Sequence, residues 1–118
     1  MKDSLELKKT LIDMPGNKFD EGKAPVTQFL RQFPKAIAYV SHISQYGHEK
    51  YGEKEDNDKW DNWKKVKNGK FRYEQAAGRH LLETDGKHDE SKFLHMGHVA
   101  WNALASLELA LDEGEDVL

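Results

Sequence analysis

The apolar positions of this chain recur at three- and four-residue intervals, and no window between turn markers alternates β-branched with polar residues. That spacing predicts helices and no strands. Pro25 can open a first short helix in which Val26, Phe29, Leu30 and Phe33 share a face, and Pro34 starts a second running to about Lys50 with Ile37, Val40, Ser41 and Ser44 together. Tyr73, Ala76, Ala77, His80 and Leu81 mark a third helix from Phe71 to about Thr84. The last is expected from about Ser91 to Asp112, on the apolar series Phe93, Leu94, Met96, Val99, Ala100, Ala103, Leu104 and Leu107, with Asp89 and Ser91 both suited to cap it. The expected architecture is an all-α bundle of about four to five helices.

At 118 residues the chain fits one domain, and the breaks within it suggest three parts. Residues 1–17, closed by Pro15-Gly16-Asn17, read as an N-terminal arm; residues 18–112 hold the helical domain; residues 113–118 form an acidic tail. Gly52 to Lys59 is densely charged and reads as a solvated loop. A third of the residues are charged, yet the net charge is only −3, and the Lys-rich segment from Lys59 to Lys70 is broken by Asp61 and by tryptophans. Duplex nucleic acid, which selects a concentrated basic face, is therefore disfavoured as a partner. With no cysteine there is neither a disulfide framework nor thiolate chemistry, and no apolar run is long enough for a secretory signal or a membrane span. The expected location is the cytoplasm, with no membrane partner.

Candidate chemistry concentrates between Arg79 and Asn102, which holds four of the six histidines. In a helix starting near Ser91, His95, His98 and Asn102 fall into one polar row. Asp89 and Glu90, just before that helix, would stay ionised against its partial positive charge. Carboxylate oxygens beside imidazoles suit magnesium or manganese more than zinc in a chain without cysteine. His42, Gln45 and Glu49 form a second polar row on the preceding helix, with Glu49 its natural ligand, unless it pairs with a surface lysine. Lys18 and Lys23, flanking Gly22, are either phosphate contacts or solvated turn lysines. Arg72 and Arg79 lie seven apart on nearly one face, where two guanidinium forks would match a phosphate chain or pair with Glu74 and Glu83. Trp60 and Trp63 are either core or a platform for a nucleobase, with Asn62 offering donor and acceptor to a base edge.

Read together, Lys18-Phe19-Asp20-x-Gly22-Lys23, Tyr46-Gly47-x-x-Lys50-Tyr51-Gly52, Asn62-Trp63, Arg72-Tyr73-x-x-Ala76-x-x-Arg79-His80, and Asp89-Glu90-Ser91 with His95-x-x-His98-x-x-x-Asn102 resemble the phage-type dATP/dGTP diphosphohydrolase family, itself similar to all-α, MazG-like nucleoside triphosphate pyrophosphatases. The resemblance implies an oligomeric enzyme that cleaves a purine deoxynucleoside triphosphate to monophosphate and pyrophosphate with Mg2+ or Mn2+, and the uncovered edge of Leu104, Leu107 and Leu111 favours a homodimer or homotetramer. Such an activity would control nucleotide pools in the cytoplasm of a phage-infected host. The Glu-x-x-Glu and Glu-x-x-Asp pairs typical of MazG-like enzymes are absent in plain form, and Lys92 stands where the diphosphohydrolase pattern tends to have glycine. Under this reading Glu49, Asp89, Glu90 and His98 bind metal, with His95 or Asn102 contributing through water. His80 or Glu49 orients the attacking water, with Glu90 the other catalytic carboxylate. Lys18, Lys23, Lys50, Arg72 and Arg79 hold the triphosphate, and Asn62 or Trp63 the nucleoside. The competing reading is a nucleotide-sequestering phage protein that uses the same pocket without turnover, against host nucleotide signalling.

Overall fold

The computed structural model describes residues 21–51, 59–85 and 88–114. These contain helices α1 (Val26–Gln32), α2 (Pro34–Tyr51), α3 (Gly69–Leu81) and α4 (His95–Asp112), together with a 3-10 helix (Lys59–Lys65) between α2 and α3. No strand occurs among the described residues, and the fold is all-α as expected. The chain divides into two compact units, Met1–Gln32 and Phe33–Leu118. The first holds α1, a seven-residue helix whose opening bond runs from the Phe29 amide to the Pro25 carbonyl. The expected arm at 1–17, and Lys18, lie outside the described residues, as does the tail beyond Gly114.

In the second unit α4 packs most closely along α3 and also crosses α2, while the 3-10 helix touches both α2 and α3. Pro34 starts α2 because its fixed φ suits a first helical turn, and the Ile37 amide donates back to the Phe33 carbonyl at 2.9 Å. Helix α3 begins at Gly69, two residues before the expected start, because Asn68 takes a left-handed conformation (φ 58°) and its carbonyl accepts the Arg72 amide. It ends at Leu81 rather than Thr84, where the Thr84 hydroxyl donates to the Leu81 carbonyl.

The interior relies on small residues. Ile43, Ala105 and Ala110 are the buried apolar side chains among the described residues, joined by Gly69 and Gly97 at helix contacts. A Cβ at Gly97 would lie 2.6 Å from Ile43 Cδ1 and 2.8 Å from the Tyr39 ring, so α4 meets α2 at a distance only glycine permits. The Ser106 hydroxyl donates to the Lys70 carbonyl (2.9 Å), tying α4 to the start of α3. Around this contact Trp63, Tyr73 and Trp101 stand mutually edge-to-face, with centroids 5.6 to 5.9 Å apart, and the Tyr73 hydroxyl donates to the Trp63 carbonyl at 2.6 Å.

The last helix departs most from expectation. It starts at His95, and the residues before it form a closed loop. His88 and Leu94 make a single antiparallel bridge, the Asp89 amide donates to the Phe93 carbonyl, and the Lys92 amide donates to the Asp89 carbonyl. Asp89 Oδ1 accepts the Ser91 amide (2.8 Å), a local side-chain bond that competes with helical continuation. Lys92 sits at φ 74°, which a right-handed helix excludes. Asp89 and Ser91 therefore shape a turn instead of capping a helix. The cap position belongs to Leu94, whose amide donates to the Tyr39 hydroxyl (2.7 Å).

Candidate metal centre

That loop delivers its polar side chains to the first turn of α4. Asp89 Oδ2 lies 3.2 Å from His98 Nε2, and Ser91 Oγ lies 2.9 Å from the same nitrogen. The Ser91 hydroxyl also donates to Asp89 Oδ1, so the carboxylate is held from two sides. Phe93 fixes the imidazole from behind: its ring meets His98, Tyr39 and Tyr46 edge-on, with centroids 5.7 to 6.1 Å apart. From the last turn of α3, His80 stacks on His98 at 4.6 Å with the planes 16° apart. His80, Asp89 and His98 thus each offer a ligand atom within 4.8 Å of the others, a group that could hold a cation. His95 stands outside that group, its Nδ1 2.8 Å from His80 Nδ1.

The electrostatics favour a cation. Burial, the largest single influence on Asp89, pushes its carboxyl up, but the Ser91 hydroxyl and amide and the nearby His98 outweigh it and hold the group below the ordinary carboxylate range. Burial, then the neighbouring His98 and His95, push His80 below the usual imidazole range. An ionised oxygen and a neutral nitrogen are the protonation states that ligate metal.

The cluster lines a cleft of about 1050 Å³. Lys50, Lys65, Arg72 and Arg79 line it, as do Trp60, Trp63, Tyr73 and Trp101. Trp60 is 48% exposed and stacks on His48 at 4.4 Å, nearly parallel. Of the residues singled out in the sequence, His80, Asp89, Glu90, His98, Asn102, Lys50, Asn62, Trp63, Arg72 and Arg79 reach this cleft. Asn102 is 8% exposed and its Nδ2 donates to the His98 carbonyl (2.8 Å), bracing the helix beneath the imidazole. Glu49 is exposed and is not among the lining residues; Lys23 belongs to the other unit. The row His42, Gln45, Glu49 is centred about a third of a turn away from the face that α2 turns to the cleft, which includes Ile43, Tyr46, Gly47 and Lys50. Lys65, Tyr73 and Trp101 were not singled out as site residues. Trp101, three residues after His98, shares its helical face, which is the signal that could have found it.

A family model described as dATP/dGTP diphosphohydrolase, N-terminal, matches residues 13–117. The chain belongs to that family. Its all-helical fold is consistent with the MazG-like relation. No curated protein and no solved structure matches the chain. Lys92 adopts φ 74°, in the left-handed region that favours glycine. Among the described residues, no helix is long and apolar enough to cross a membrane.

Proposed function

We propose that the chain hydrolyses dATP or dGTP to the monophosphate and pyrophosphate, using a divalent cation held by His80, Asp89 and His98. The observation that carries this reading is that these three groups share one cleft with four cationic side chains and an aromatic wall. The residues fit a cation, since Asp89 is held ionised and His80 neutral near physiological pH. Two imidazole nitrogens and one carboxylate suit Mn2+ better than Mg2+, which prefers oxygen. When bound, such an ion neutralises charge on phosphate oxygens and acidifies a coordinated water.

The remaining roles follow from chemistry around the cleft. Arg72 and Arg79 are suited to grip phosphate oxygens with paired N–H groups, with Lys50 and Lys65 adding charge. The exposed face of Trp60 and the edge of Trp63 offer apolar surface to a purine, with Asn62 for its polar edge. His80 is taken up by the cation cluster. Glu90, exposed in the same cleft beside Asp89, is therefore the carboxylate to which we give the attacking water. The reading gives no role to Glu49.

Self-association belongs to the same proposal. Leu104 and Leu107, each 55% exposed, and Leu111 lie along one side of α4, an apolar stripe that a second copy would cover.

The test is incubation of the full chain with dATP or dGTP and Mn2+ or Mg2+, with products separated by chromatography. Asp89→Asn and His98→Ala should each lower pyrophosphate release by more than about a hundredfold, as expected when metal-held chemistry is lost, while helical circular dichroism stays intact. Recovery of unchanged nucleotide from the wild type would mean sequestration without turnover, and near-normal turnover by Asp89→Asn would remove the proposed centre.

A further inference from the structure

His80 and His95 meet through their Nδ1 atoms at 2.8 Å. Two bare lone pairs repel at that distance and two N–H groups collide, so a single proton lies between the rings. For neutral rings this leaves two arrangements. In one, His95 donates from Nδ1 and His80 accepts; the proton of His80 is then on Nε2, and neither of its nitrogens has a lone pair for a cation. In the other, His80 donates from Nδ1 to a bare His95 Nδ1; His80 Nε2 then keeps its lone pair, and the proton of His95 moves to its own Nε2. His80 belongs to the group of ligand atoms with Asp89 and His98, and His95 does not. Only the second arrangement makes His80 a ligand without breaking the contact.

We infer that His95 is a positioning residue, the acceptor that holds His80 in the tautomer whose Nε2 is free to face the cation. This rests on the cation reading above and extends it to a residue one layer behind the centre. His95 opens α4 and is partly buried, and the two rings are tilted by 43° with centroids 5.0 Å apart, so the bond fixes the rotation of His80 as well as its proton. It also explains why three histidines crowd together without forming a three-histidine cluster: one of them serves another.

Two substitutions separate this role from simple packing. His95→Asn keeps an acceptor, its side-chain oxygen, close to where Nδ1 stood, whereas His95→Leu fills similar space with none. Calorimetric titration of the full chain with Mn2+ at pH 8 should show His95→Leu binding about 10–100-fold more weakly than wild type, as typical for loss of an outer partner of a ligand histidine. His95→Asn should recover most of that loss. In the Zn2+-loaded wild type, with Zn2+ as a diamagnetic probe, nitrogen-15 spectra of the rings should show His80 protonated at Nδ1 and His95 at Nε2. Wild-type affinity in His95→Leu, equal weakness of His95→Leu and His95→Asn, or a His80 ring protonated at Nε2 would each overturn the inference while Asp89→Asn still abolishes binding. If wild type and Asp89→Asn take up Mn2+ equally poorly, the cation reading itself falls and takes this role with it.

Discussion

One methyl group at each of two helical glycines should have opposite effects on this protein. At Gly97 a Cβ would stand 2.6 Å from Ile43 Cδ1, 2.8 Å from Tyr39 Cε1 and 3.1 Å from Tyr39 Cδ1. Neither neighbour can yield easily. Ile43 is 4% exposed, and the Tyr39 ring is tied by its hydroxyl to the Leu94 amide and packs edge-on against Phe93. Overpacking of this kind costs about 1–3 kcal/mol, and displacing Tyr39 forfeits a hydrogen bond worth about 1 kcal/mol. Replacing a helical glycine by alanine returns at most about 1 kcal/mol at a position in the first turn such as this one, so the net loss is at least about 1–3 kcal/mol. At about 4–8 °C per kcal/mol for a domain of this size, Gly97→Ala should lower Tm by roughly 4–24 °C. At Gly78, exposed in α3 with nothing within 4 Å of the added carbon, only the helical gain remains, and Gly78→Ala should raise Tm by a few degrees. Thermal melts followed by circular dichroism decide it, with Mn2+ titration of Gly97→Ala as a second readout, since a shifted Phe93 would loosen His98. A Gly97→Ala protein as stable as wild type would refute the close contact of α2 and α4.

Lys92→Gly removes a left-handed cost of about 1–2 kcal/mol and adds back some unfolded-chain entropy, so denaturant titration should show a gain of about 0.5–1 kcal/mol. Tyr73→Phe deletes the hydroxyl that donates to the Trp63 carbonyl and should cost about 1 kcal/mol by the same assay, with Trp63 fluorescence reporting a loosened cleft wall. In the metal-free protein, His80 and Asp89 both lie below their ordinary values of 6.5 and 3.8, so the unfolded chain takes up each proton first as the pH falls. The stability they contribute is therefore complete above about pH 6.5, declines as His80 titrates below that value and declines again below 3.8; stability unchanged between pH 8 and pH 5 in His80 wild type but changed in His80→Gln would contradict this. Leu107→Glu, on the exposed stripe of α4, should shift the mass seen by light scattering toward that of a single chain.

The helices were readable because their evidence is local. Pro34 starts α2 where its ring geometry demands, and the apolar spacing from Met96 onward continues as α4 to Asp112, its expected end. The start of α4 departs from the sequence pattern because Asp89 and Ser91 have two uses for the same side chains. As caps they would accept amides of a helix beginning at once; in the protein Asp89 accepts the Ser91 amide within a turn that delays the helix to His95. Nothing in the local pattern distinguishes the two. The positive φ at Lys92, which does, arises from closure of the loop against Phe93 and Leu94.

The delay decides the chemistry. Had α4 begun at Ser91, the sequence row His95, His98, Asn102 would have stood as three equivalent groups on one face. With a closed loop in front of His95, Asp89 and Ser91 fold back onto His98, and α3 brings His80 against the same ring. The row then divides: His98 joins the cluster, His95 turns to His80, and Asn102 turns to the His98 carbonyl. Spacing along a helix found which residues share a face, but the partner of each is set by contacts across elements, between α3, the loop and α4. Glu49 shows the same limit in reverse. Its spacing from His42 and Gln45 is sound helical geometry, yet the face of α2 that meets the cleft is chosen by Gly97, whose bare backbone admits Ile43 and Tyr39 and so fixes the rotation of the helix. A residue with no side chain thereby determines which side chains of α2 can reach the cleft.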